Sequence, residues 1–210
     1  NGLEKVILPS SIAAFGDKTP RNMTPNDTIQ NPNSVYGIAK VFGELMGNYY
    51  HSKLGLDVRG IRLPGIISWK TEPTAGTTDY AVAMFYEAIR KNSYECYLSP
   101  NTALPMMYMP DAIKALIKLS QADSQALMHH SDFNIHAMTF TPADLASEIM
   151  QINPSFEINY KIDPVRQSIA DSWPTSLDDS KAREEWGWEP EYAIRALAED
   201  MYLNLTTKLS

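Results

Sequence analysis

Cysteine is almost absent. Cys96 is the only one in 210 residues, so no disulfide can form within the chain, and a reducing compartment is the natural setting, the cytoplasm or the mitochondrial matrix. Long apolar runs are missing too. None approaches the ~18 residues of a membrane span, and no signal-peptide pattern opens the chain. Positive charge is short: 18 Lys and Arg against 25 Asp and Glu leave a net charge of −7, which argues against a general affinity for nucleic acid. The four histidines, His51, His129, His130 and His136, lack metal-ligand spacing and cysteine company, so no metal is expected. Glycine is sparse, and nowhere does a G-x-G-x-x-G run or a looser variant join a strand to a helix. These residues therefore do not supply the loop that seats a dinucleotide pyrophosphate on a helix N-terminus.

What is present is ordinary for a folded domain: 44% hydrophobic and 20% charged residues, enough for one large domain or one plus a small lobe. Val6–Leu8 reads as a short strand stopped by Pro9. Residues 17–33, rich in Pro, Asn, Asp and Thr, read as a long surface loop. Asn33 or Ser34 caps a helix running to about Lys53 and closed by Gly55. Its apolar positions Val35, Ile38, Ala39, Phe42, Leu45, Met46 and Tyr49 fall at helical spacing. Leu56–Ile67 reads as one buried strand leaving through Pro64-Gly65, a parallel-sheet pattern after a helical crossover. Further on, the sequence predicts helices near 79–91, from Pro110-Asp111, 142–150, 176–186 and 192–205. Short strands are expected near 95–98, 107–108, 133–135 and 156–160. The fold class is α/β: the second half of a Rossmann-like doubly wound parallel sheet plus a small mixed lobe. Residues 1–68 belong to the main domain and 69–210 mainly to the lobe, with about 107–135 returning.

The chemistry concentrates near the start. The strand ends in a Ser-Ser pair within KVILPSSIAAFG, and 25 residues after Ser11 comes Tyr36 in PNSVYGIAK, with Lys40 one turn on. A free phenol, with a pKa near ~10, is a poor base at neutral pH. A lysine at i+4 lies on the same helix face, and its charge favours the phenolate. The Ser11 hydroxyl can hold an oxygen as its proton leaves. Hydroxyl, phenol and ammonium so arranged suit oxidation of an alcohol or reduction of a ketone. Tyr49 and Lys53 repeat the spacing on the same helix, but thirteen residues separate the tyrosines, about 140° around the axis. The two cannot share a site. Tyr36 is the better candidate, because it opens its helix beside a strand end, where open α/β sheets place ligands. Tyr49 reads as an apolar-face residue and Lys53 as a solvated helix end.

These residues resemble the extended short-chain dehydrogenase/reductase superfamily. The stretch SLDDSKAREEWGWEP (176–190) is similar to that group's C-terminal pattern, with Trp186 and Trp188 as core anchors. Within it, PSSIAAFG, RLPGIIS, GTTDYAVAMFYEAI, LPMMYMPDAIKALI and IADSWP resemble the short-chain-type L-threonine 3-dehydrogenases. The resemblance implies NAD as cofactor and L-threonine as substrate. It makes Ser11 the catalytic hydroxyl, Tyr36 the base, and Lys40 its assistant and a ribose contact. Ile66 would border the nicotinamide, while Ser10 and the loop Gly76, Thr77, Thr78 and Asp79 would enclose the amino acid. One departure is Thr74-Ala75-Gly76, where relatives show a run of glycines. The missing pyrophosphate loop implies the C-terminal portion of a longer polypeptide. A homodimer through the Ser34–Lys53 helix is also implied.

Residues 96–110 contain no basic residue, whereas a sugar-nucleotide diphosphate calls for Arg or Lys. Met106, Met107 and Met109 there suggest a small substrate in an apolar pocket, or simply gap-filling packing. A sugar-nucleotide epimerase or dehydratase of the same superfamily remains an alternative, as does a non-catalytic fragment or binding protein.

Overall fold

The opening strand is longer than its apolar run. In the computed structural model, which describes residues 2–210, β1 spans Lys5–Ser11 and ends on the serine pair. A 3-10 turn, Ile12–Ala14, and the loop to residue 33 lead to helix α1, Val35–Leu54. Its ends follow local chemistry. Ser34 accepts the Gly37 N–H, and Gly55 closes the helix with a φ of 67°, a left-handed setting that glycine adopts at no steric cost. Next comes β2, Asp57–Leu63, parallel to β1 in a register that pairs Lys5 with Asp57 and Ser11 with Leu63.

The single strand expected over 56–67 is two. Pro64 has no N–H to donate, so the β2 ladder stops there, and β3, Gly65–Ile67, joins a different sheet. After a 3-10 turn at Thr77–Asp79 the chain forms α2 (Tyr80–Lys91), β4 (Ser93–Cys96) and β5 (Leu104–Tyr108). Then come α3 (Met109–Gln121), β6 (Phe133–Asn134), β7 (Met138–Phe140) and α4 (Pro142–Ile152), the last opened by a Thr141–Asp144 capping box. The chain closes with β8 (Glu157–Tyr160), α5 (Pro164–Asp171), α6 (Ser180–Trp186) and α7 (Ile194–Leu209).

Two units result. The first comprises 1–64, 110–136 and 173–190, and holds a parallel sheet in the order β1-β2-β6 with α1 packed on β1 and β2. The second comprises 65–109, 137–172 and 191–210. It contains β3-β5-β7, parallel then antiparallel, and the parallel pair β4-β8. The chain is thus α/β, with a Rossmann-like parallel layer in the first unit. Residues 173–190, assigned by sequence to the lobe, lie in the first unit. Among the described residues, no helix is long and apolar enough to cross a membrane.

The apolar stripe of α1 is not the face it buries. Val35, Ile38, Phe42, Leu45 and Tyr49 are all more than half exposed, and Ala39 is exposed as well. The buried positions are Gly37, Glu44 and Gly47. Helical spacing identified a stripe without saying which side meets the sheet. Here close backbone approach decides it: a Cβ on Gly37 would collide with the Ala13 carbonyl.

Candidate active site

The same close approach builds the site. With Gly37 against Ala13, the first turn of α1 sits beside the end of β1, so Tyr36 and Lys40 stand next to the turn that Ser11 opens. Tyr36 is 57% exposed. The Lys40 Nζ lies 5.2 Å from the centre of its ring and donates to the Pro9 carbonyl at 2.6 Å. Among the described residues, no carboxylate forms an ion pair with Lys40.

The two serines differ. Ser11 accepts the Ala13 N–H at 3.2 Å, which leaves its own proton free to donate. Ser10 is buried, and its hydroxyl donates to Glu44. A cavity of about 250 Å³ opens here, lined by Leu8, Pro9, Ser10, Lys40 and Glu44 among others.

The loop between the serines and Tyr36 is pinned rather than free. Thr24 and Leu177 form a β-bridge, the Arg21 Nε donates to the Trp173 carbonyl at 3.0 Å, and the Met23 N–H to Ser176 Oγ at 2.8 Å. Trp173 packs on Ile12, Phe15 and Leu177 beneath the Ser11 turn. Trp173 therefore braces the strand end. Trp186 and Trp188 are buried in the core.

Ile66 and Gly76–Asp79 belong to the second unit. Ile66 is half-buried on β3. The loop is held at both flanks: Asp79 Oδ2 accepts from the Thr74 N–H and hydroxyl, each at 2.6 Å, and the Tyr97 hydroxyl donates to the Gly76 and Thr77 carbonyls at 2.9 and 3.2 Å. Glycine could make the first of the Thr74 bonds but not the one from the hydroxyl. Met106 and Met107 are wholly buried on β5, where they pack the interior. A cation does reach the 96–110 stretch from outside it, since the Arg166 guanidinium stacks 4.1 Å from the Tyr97 ring centre. Burial pushes the Cys96 thiol up to about 11, which leaves it protonated and inert at neutral pH.

Sequence reasoning missed Glu44 and Arg62, both 3% exposed and paired through Arg62 Nη2 at 2.8 Å. Two signals were legible: arginines inside the apolar strand RGIRLPGII, and a glutamate one turn beyond Lys40 on its face.

Residues 2–201 match the model of the GDP-mannose 4,6-dehydratase family. An uncharacterized epimerase/dehydratase of Staphylococcus haemolyticus is 50% identical over 195 residues, 93% of this chain and 61% of that protein. The mitochondrial L-threonine 3-dehydrogenase of Bos taurus is 47% identical over 197 residues, 94% of this chain and 52% of that protein. The X-ray structure of L-threonine dehydrogenase from Clostridium difficile superposes with a TM-score of 0.96 at 50% identity, covering 97% of this chain and 64% of that one. The chain thus spans between about half and two thirds of the length of these relatives.

Proposed function

The chain belongs to the GDP-mannose 4,6-dehydratase family, and from that premise we propose that it carries the catalytic residues of an NAD-dependent oxidation of L-threonine at its 3-hydroxyl, giving 2-amino-3-oxobutanoate. One observation carries the reading: an exposed phenol, Tyr36, with an ammonium beside its ring that no carboxylate among the described residues pairs, at the end of the parallel strand that bears Ser11. Relatives near 50% identity that are L-threonine dehydrogenases support the substrate.

The residues fit the nicotinamide-ribose end of NAD. Lys40 gives one N–H to Pro9 and keeps two for ribose hydroxyls. Tyr36 would share that contact, and Ile66 would border the ring. No residue here supplies a Gly-rich pyrophosphate loop. When bound, NAD supplies the acceptor for the hydride on the threonine C3. The chain's own residues handle the proton. The Ser11 hydroxyl, its proton unspent, donates to the substrate oxygen and fixes it. Tyr36, as a phenolate held beside the Lys40 charge, takes the 3-hydroxyl proton as the carbonyl forms and is left as the neutral phenol. In this reading Gly76, Thr77, Thr78 and Asp79 complete the substrate's surroundings; Ser10, expected there from the resemblance, is buried with its hydroxyl donated to Glu44. The exposed apolar stripe of α1 supports a homodimer through that helix.

A sugar-nucleotide substrate has one observation in its favour, Arg166 over Tyr97, a cation able to meet a diphosphate. Threonine-dependent NADH formation by the intact protein decides between the two. Activity on a UDP- or GDP-sugar with none on threonine overturns the first, and no NAD binding on titration leaves a non-catalytic protein.

A further inference from the structure

Glu44 is the only acid in α1 and is 3% exposed. A carboxylate taken this far from water is costly unless paired and hydrogen-bonded. Arg62 of β2 meets it through Nε, 3.1 Å from each carboxylate oxygen, and through a second nitrogen at 2.8 Å. Gln30, in the pinned loop, donates to Oε2 at 2.5 Å, and the Ser10 hydroxyl donates to Oε1. One carboxylate therefore joins α1, β1, β2 and the loop between the serines and Tyr36. Arg62 extends the network to the Asn26 carbonyl at 2.8 Å and Asn134 Oδ1 at 3.2 Å.

A buried ion pair is a poor way to gain stability, because desolvation offsets most of the attraction. Its geometry serves the strand end instead. Three consecutive residues there are each fixed by one bond: Pro9 by Lys40, Ser10 by Glu44, and Ser11 by the Ala13 N–H. Lys40 and Glu44 are four residues apart on one face of α1, so helix and strand end are clamped at two adjacent points. Arg62 neutralises the carboxylate, which therefore does not draw the Lys40 ammonium away from Tyr36.

We propose that Glu44 is a positioning residue: paired with Arg62, it grips Ser10 and so holds the Ser11 hydroxyl and the Pro9 anchor of Lys40 in a fixed setting beside Tyr36. This rests on the reading of Ser11, Tyr36 and Lys40 as the reacting groups. Sub-ångström slack at reacting atoms is costly, since a ~1 Å misplacement can cost about a hundredfold in rate.

The test is Ser10→Ala in the intact protein, which removes one hydroxyl and leaves the ion pair in place. Expected are a fall in kcat of roughly tenfold to a hundredfold, unchanged KM for threonine and NAD, and faster amide exchange confined to residues 10–13. Glu44→Gln gives the same pattern with a larger fall, together with a lower Tm because Arg62 loses its partner. If Ser10→Ala keeps wild-type kcat and exchange, or raises KM with kcat unchanged, the proposal is overturned, the second outcome making Ser10 a substrate contact. Should the wild-type protein fail to oxidise threonine, the functional reading fails, while the exchange measurement still decides the role of Glu44.

Discussion

The two units differ in what they bury beside their hydrophobic cores. Among the described residues, every buried Asp, Glu and Arg lies in the first unit: Glu44, Arg59, Arg62, Asp111 and Asp179. Both units bury aromatic rings, Phe15, Phe133 and Trp188 in the first among them, but the second buries no Asp, Glu or Arg among the described residues and adds sulfur and phenol side chains, including Tyr80, Met84, Tyr86, Cys96, Met106 and Tyr108. Their helices show the same contrast. α2 packs seven of its twelve residues inward, from Tyr80 to Ala88, in the usual amphipathic manner. α1 buries two glycines and a glutamate, and turns its apolar stripe to solvent. An interior of charges and close backbone contacts adds little stability per residue, but it fixes geometry. The first unit is organised around placing groups, the second around burying them.

The sharpest way to break this contrast is to substitute one aromatic ring in each unit. Tyr36→Phe removes a general base, and a loss of roughly 10²- to 10⁴-fold in kcat is expected. Tm should stay close to wild type, because the ring is mostly exposed, and NAD binding should weaken far less than turnover, because Lys40 keeps its ribose contact. Equal loss of turnover and NAD binding would mean that Tyr36 is structural. Phe85→Ala, at a fully buried position of α2, should cost about 3–5 kcal/mol of stability. Chemical denaturation reads it directly, and a cost near that of a surface substitution would sink the account of the second unit.

How much of this was legible in the sequence follows the same division. The ends of α1 were readable, because Ser34 and Gly55 act on their own neighbours. So was the start of α4, where Thr141 and Pro142 carry the signal locally. The split at Pro64 was not, since an apolar run looks alike whether it feeds one sheet or two. α5 was missed although Asp163 caps it, accepting from the Val165 and Arg166 N–H groups, and Pro164 opens it; eight residues are too few for a periodic pattern to emerge. The spacing of Ser11, Tyr36 and Lys40 pointed to the site. The Glu44–Arg62 pair behind it arises from three segments meeting, which no local pattern encodes.

The exposed stripe of α1 offers a finer cut. Phe42, 64% exposed, should tolerate Phe42→Asp with a change in monomer stability of no more than about 0.5 kcal/mol. If a second copy covers the stripe, the charge should shift the protein from dimer to monomer at micromolar concentration. Light scattering reads both states. A wild-type protein that is already monomeric would end the dimer proposal and leave the stripe without a partner of its own kind.

The smallest expected effect concerns pH, and it too should belong to the first unit. His129 is opposed by burial, but its bonds to Glu185 and Asp27 outweigh that and raise its pKa above 6.5. Burial lowers His130, helped by the stacked His51 and by Arg59 against the opposing Asp57 and Asp132. Burial also lowers His136, with Arg183 adding and Asp179 opposing. For His129 the folded state holds its proton more tightly, so its stabilisation is complete below pH 6.5 and is lost as pH rises through the folded value. For His130 and His136 the unfolded state binds the proton more tightly, so stability falls as pH drops from 6.5 toward their folded values. The two slopes oppose each other and place a shallow maximum near pH 6.5. His129→Gln should flatten the limb above 6.5 and leave the acid limb intact. In the second unit, burial has moved Cys96 and the phenols of Tyr80, Tyr94, Tyr97 and Tyr108 upward, away from this range. Denaturation followed between pH 5 and 8 by probes in each unit should therefore locate the dependence in the first. An equal response in the second unit would show that the two interiors are not energetically distinct.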